Sequence, residues 1–163
     1  MNYRSVAIVA AYILITCAAA HGAGYDAVLE VRDGKNGQTA RQNKSSTAPS
    51  AMSRRVVLEG STDDHFTATW KIVRKDQTTV KDELVHFYVV KMERQGQAPP
   101  ALAPSRVVIE SAVTMDFPAG ETARGTQEFR VDGPGIYLVR VEVGTDPDKP
   151  GVEDYAELEL VAK

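Results

Sequence analysis
Cysteine is almost missing from this chain. The only one, Cys17, falls in an apolar run near the N-terminus. A domain that starts after that run has no disulfide and no Cys-x-x-Cys metal or redox pair. Histidine is nearly as scarce, with His21, His65 and His86 alone. No His-Glu-x-x-His, Gly-x-Ser-x-Gly or phosphate-loop pattern occurs, so the common hydrolase and nucleotide-binding signatures are absent. Strong charge of one sign is missing too. The net charge is −3, and no basic patch is interleaved with aromatics, which leaves no footprint for nucleic acid. No apolar run reaches the ~18 residues of a membrane-crossing helix. After residue 20 no segment shows helical periodicity, and no internal repeat is visible.

What is present begins with a targeting pattern. Arg4 supplies a positive start, Val6 to Cys17 is apolar, and Ala18-Ala19-Ala20 offers small residues to a signal peptidase. Residues 1–20 read as a cleaved signal peptide. Without Arg4, 18 basic residues stand against 22 acidic ones, a net charge near −4. Leu14-Ile15-Thr16-Cys17 also resembles a bacterial lipobox, apart from Thr16, where a small residue is usual. That resemblance implies a lipid anchor on Cys17 as the alternative to a freely exported chain.

The mature chain reads as β-strands. Tyr25 to Arg32 alternates, with Ala27, Leu29 and Val31 on one side. His65 to Arg74 places Phe66, Ala68, Trp70 and Ile72 on one face. Leu84 to Glu93 is apolar on both faces, as a central strand would be. Arg106 to Phe117 is strand-like, with a break expected near Ser111. Thr126 to Asp132 alternates around Phe129. Tyr155 to Val161 turns Ala156, Leu158 and Leu160 inward and Glu157 and Glu159 outward. A hydrophobic fraction of 43% is enough for a core in a chain of this size. Short strands bounded by turns predict an all-β antiparallel sandwich of about seven or eight strands.

One stretch narrows the fold further. Asp132-Gly133-Pro134-Gly135-Ile136-Tyr137 is a Gly/Pro corner that feeds an alternating strand through Val143. It resembles the tyrosine corner of immunoglobulin-like and fibronectin-type-III-like modules. The resemblance implies a buried Tyr137 whose hydroxyl bonds nearby backbone beside Gly135, and an immunoglobulin-like sandwich over residues 54–163. The Trp-Asn-Asp-Phe-Gly-Asp-Gly-type motif of polycystic-kidney-disease modules is absent.

Residues 21–53 read as an N-terminal strand followed by a flexible basic arm, since 33–53 is polar and lacks periodicity. From Arg32 to Arg55 there are six basic residues and one acidic; residues 142–159 hold seven acidic and one basic. Two solvated surfaces are the plain expectation. The sharper one is that the arm, through Arg41, Lys44, Arg54 and Arg55, docks on the acidic end or on an anionic partner.

Cleavage after Ala20 would make His21 the first residue. That start resembles the copper brace of lytic polysaccharide monooxygenases and periplasmic copper-binding sandwiches, which implies copper held by His21 with His65 or His86. Cleavage two residues later would remove His21. Asp146, Asp148, Glu153 and Asp154 share one loop and could hold calcium, though at no EF-hand spacing. A carbohydrate-binding module would need exposed aromatics, for which Tyr25, Phe87, Tyr88 and Tyr155 are the candidates. The leading expectation is a non-catalytic exported module, periplasmic or at the cell surface, bound to another protein or an envelope polymer.

Overall fold
A computed structural model describes residues 24–43, 55–75, 78–144 and 154–163. They form nine strands: β1 (Tyr25–Asp33), β2 (Thr39–Asn43), β3 (Val57–Gly60), β4 (Phe66–Arg74), β5 (Val80–Met92), β6 (Val107–Phe117), β7 (Thr122–Phe129), β8 (Gly135–Val143) and β9 (Asp154–Ala162). Four strands make one sheet, in the order β2-β1-β4-β7. Five make the other, in the order β3-β9-β8-β5-β6. All neighbours are antiparallel except β3, which runs parallel to β9. Among the described residues no helix is long and apolar enough to cross a membrane.

The two sheets meet because alternate residues on their facing sides are apolar. Tyr25, Ala27, Leu29 and Val31 of β1 lie against Phe66, Ala68, Trp70 and Ile72 of β4. Val85, Phe87, Val89, Val139, Val141, Leu158 and Leu160 come from the other sheet. Phe66 and Phe129 stack with ring centres 5.5 Å apart, and Tyr25 meets Phe117 edge to face at 5.0 Å. Such pairs add to plain area burial. Trp70 finds room because its partner across the strand pair is Gly125. A Cβ there would overlap the indole.

The sandwich includes the N-terminal strand that the sequence reading set apart in residues 21–53. β1 is an inner strand, paired to both β2 and β4. Thr39–Asn43, read as loop, is the edge strand β2. The polar run hid it because an edge strand needs little apolar patterning. The Asp33 carboxylate makes the turn between them tight by accepting from the backbone N–H of Lys35 (2.8 Å) and Asn36 (3.2 Å) and from the Asn36 amide (2.9 Å). Burial alone would raise its pKa, but these bonds hold it below the ordinary value. Gly37 closes the turn at φ +67°. β6 runs unbroken through Ser111, which pairs with Phe87. β7 starts at Thr122, four residues before the expected start, because its first half faces mostly solvent and carries no apolar signal.

The two ends of the sandwich are tied differently. At one end the Tyr137 hydroxyl donates to the Gly133 carbonyl at 2.7 Å, with its ring buried beneath. Gly133 and Gly135 take φ of +152° and +158°, which glycine adopts without strain. At the other end the Tyr25 backbone N–H donates to Asp154 at 2.7 Å, joining β1 to β9 across the layers. The Tyr25 hydroxyl accepts from Arg74 (2.8 Å) and donates to Glu83 (3.0 Å). Burial, reinforced by Glu83, pushes its pKa up to about 12.

Candidate functional site: a charge ladder on the five-stranded sheet
The outward positions of the five-stranded sheet should be plain surface by alternation. They carry instead a continuous row of opposite charges. Glu110 of β6 meets His86 Nε2 of β5 at 2.9 Å, and His86 Nδ1 meets Glu142 of β8 at 3.1 Å. Arg140 donates to Glu142 at 2.7 Å and to Glu157 of β9 at 3.0 Å. Arg55, just before β3, donates to Glu157 at 2.6 Å and to Glu159 at 3.1 Å. The row reads Glu110, His86, Glu142, Arg140, Glu157, Arg55, Glu159, with the sign alternating whenever His86 is protonated. Register explains the order. Arg140 lies opposite both Tyr88 and Glu157, and Glu142 opposite His86.

Most of the row is out of water. The side chains of Arg55, Arg140, Glu142, Glu157 and Glu159 are 3 to 11% exposed, and only Glu110 is open, at 48%. The cover comes from the β5–β6 connection. The Gly96 backbone N–H donates to Glu159 at 2.7 Å, and Arg55 donates to the Gln97 carbonyl at 2.6 Å. Beside the charges a second apolar cluster, Tyr88, Val90, Met92 and Leu138, is capped by Leu102 of the same connection and by Ile136. Arg140 also stacks over Tyr155, its guanidinium carbon 3.9 Å from the ring centre.

These neighbours set the protonation states. The hydrogen bond to Glu142 is the largest influence on His86 and raises its pKa. Burial opposes this, and Glu110 adds to it. Burial by itself would push Glu142 up, but the His86 hydrogen bond and the Arg140 charge outweigh it and hold the carboxyl low. Burial drives the Tyr88 phenol well above its usual value, so it stays protonated and points at Glu142. The result is a saturated hydrogen-bonded network, each group holding another. It braces β6, β5, β8 and β9 together and ties in the residue before β3. None of its carboxylates stands alone as an acid or base.

The residues singled out from the sequence end up apart. His86 is in the ladder, both ring nitrogens engaged. His65 precedes β4 on the other sheet, exposed, its ring against the Arg130 guanidinium. His21 lies outside the described residues, as do Lys44, Arg54, Asp146, Asp148 and Glu153. Asp154 is buried and accepts from Tyr25; burial raises its pKa. Among the described residues no group of three or more His, Cys, Asp or Glu side chains is placed to hold a metal ion. Arg41 sits on β2 opposite Glu30. Arg55 of the arm docks on Glu157 and Glu159. Those two acids and Glu142 are therefore not the solvated surface that their composition suggested. Of the aromatics offered for carbohydrate, Tyr25, Phe87 and Tyr88 are buried, and Tyr155 is half-covered beneath Arg140.

No family model and no curated protein matches this chain. Among solved structures, it is similar to the C-terminal domain of Wzt, with a TM-score of 0.45 and 9% identity over 83% of this chain and 70% of that one. It is also similar to the PmoD soluble domain from Methylocystis sp. ATCC 49242 (Rockwell), with a TM-score of 0.43 and 6% identity over 83% of this chain and 90% of that one. At these scores neither likeness carries an argument about function.

Proposed function
We propose that this protein is an exported, non-catalytic binding or structural module, built on an immunoglobulin-like sandwich and working in the periplasm or at the cell surface. The carrying observation is the saturated ladder. The groups best suited to chemistry, His86, Glu142, Arg140 and Glu157, are spent on one another and hold a rigid sheet. A rigid sheet with loops at its ends is a scaffold for contacts with another protein or an envelope polymer. Two features support the immunoglobulin-like wiring: the parallel pairing of β3 with the last strand, and a corner tyrosine opening the strand next to it. Export rests on the residue 1–20 pattern, with lipidation at Cys17 as its anchored form.

The test joins two measurements on the exported protein. Intact mass is expected to show loss of the leader, with diacylation if Cys17 is the anchor; a chain that keeps residues 1–20 overturns export. Saturable capture of an envelope or extracellular component by the wild type, weakened by deleting residues 44–53, is the expected binding result. No saturable capture from either fraction overturns the module reading. Copper titration of the same sample separates out the brace, which requires His21 first and binding tighter than micromolar.

A further inference from the structure
Sheet edges offer unpaired backbone N–H and C=O groups, and proteins blunt them with short strands, charge, proline or bulges. Three of the four edges among the described residues follow that rule. β3 has four residues and β2 five. β7 has eight and carries exposed Arg124 and Glu128. β6 follows it least, because its exposed charges, Glu110 and Asp116, only flank an uncharged run. It is eleven residues long, and among the described residues no strand pairs with its outer edge. Its irregular pairings with β5 lie towards the two ends, leaving Ile109 to Met115 in even register. From Ser111 to Met115 it has neither charge nor proline. Val113 is 43% exposed, more than any other large apolar side chain among the described residues.

We propose that β6 is a self-association edge, pairing antiparallel with β6 of a second copy to make a continuous ten-stranded sheet. This goes beyond the binding-module reading and does not rest on it. Self-complementarity selects the second copy as occupant. A two-fold axis through Ala112, the middle residue of β6, pairs the whole strand with itself. Val113 then faces Ser111 of the other copy, Thr114 faces Glu110, Asp116 faces Val108, and no carboxylate opposes another. The register centred one residue on, at Val113, would set Glu110 against Asp116, and like charges directly opposed are unfavourable. In the Ala112 register the two Val113 side chains lie diagonal to each other on the core side, where each covers the other's exposed surface.

Sedimentation of the full chain over a dilution series is expected to show a mass that doubles with concentration. Val113→Lys, which adds a charge on the inward side of the edge, is expected to abolish the dimer while circular dichroism stays unchanged. A second measurement does not depend on that variant folding. In a Cys17→Ser background, Ala112→Cys is expected to form a disulfide-linked dimer on mild oxidation, because the two residues face each other across the axis. Thr114→Cys, which faces Glu110, is expected to cross-link far less. A chain that is monomeric at every concentration overturns the proposal. So does a dimer that Ala112→Cys fails to capture in preference to Thr114→Cys.

Discussion

The two outer faces of this sandwich have the same strand geometry and opposite chemistry. On the four-stranded sheet the outward side chains include Asp26, Val28, Glu30 and Arg32 of β1, Thr67, Thr69, Lys71 and Val73 of β4, and Arg124, Thr126 and Glu128 of β7. All are exposed or half-exposed. On the five-stranded sheet the equivalent positions hold Arg140, Glu142, Glu157 and Glu159, buried under Arg55 and the β5–β6 connection. Both faces carry charge, but the second sets its charges beside the apolar Tyr88, Val90, Met92 and Leu138 and under a cover. An exposed ion pair contributes ~0–1 kcal/mol. A buried one need not stabilise more in net terms, but breaking it leaves a charge with no water and no partner. The first face should therefore tolerate substitution, and the second should not.

The largest contrast is expected at Arg140. Arg140→Ala removes the guanidinium shared by Glu142 and Glu157, leaving them only His86 and Arg55, and should cost up to ~3–5 kcal/mol, read as a fall in the denaturation midpoint. A loss below that of an ordinary surface change would mean that water reaches the ladder. Arg55→Ala comes next, at ~1.5–3 kcal/mol for bonds to charged groups. It should also speed amide exchange at Gly96, since the cover loses its Gln97 anchor. Tyr137→Phe supplies a yardstick that belongs to neither face. It removes one hydrogen bond and should cost ~1 kcal/mol, leaving partner binding unchanged.

A pH titration sharpens the comparison without truncating the ladder. The folded state raises the His86 pKa, so the protonated form is the one that stabilises. That contribution is complete below the ordinary histidine value of about 6.5 and is lost as pH rises through the raised folded-state value. His86→Gln should flatten this decline in thermal stability above about pH 6.5. A decline that persists in the variant would assign it to another group. The smallest effect belongs to the open face, where Arg124→Ala should stay within ~0.5 kcal/mol.

Much of the core was legible in the sequence. Period-two alternation put Trp70 and Ile72 inside and turned Glu157 and Glu159 outward, and the structure places them so; β5, apolar on both faces, is an inner strand beside the β6 edge, and β8 is the middle one. The corner at Tyr137 was readable because glycine, proline and tyrosine at that spacing carry local backbone chemistry. The ladder was not readable. Its partners come from β5, β6, β8, β9 and the residue before β3, and single-strand patterns do not state strand order. Glu157 and Glu159 could be seen to face outward, but nothing local says that Arg55, about a hundred residues earlier, lies over them. β2 was missed for the opposite reason, because its order comes from the Asp33 turn and from pairing with β1.

The bond from the Tyr25 backbone to Asp154 closes a span of 129 residues. Contacts this distant in sequence come late, because the chain between them must be brought together first. β1 also takes its other main partner from β4, and its sheet is completed by β7, far downstream. β1, the first of the described strands to be synthesised, is thus among the last of them to find its place. Folding should be slow and held back until the C-terminal strand is available. Export as proposed above would then meet a chain that has not yet locked.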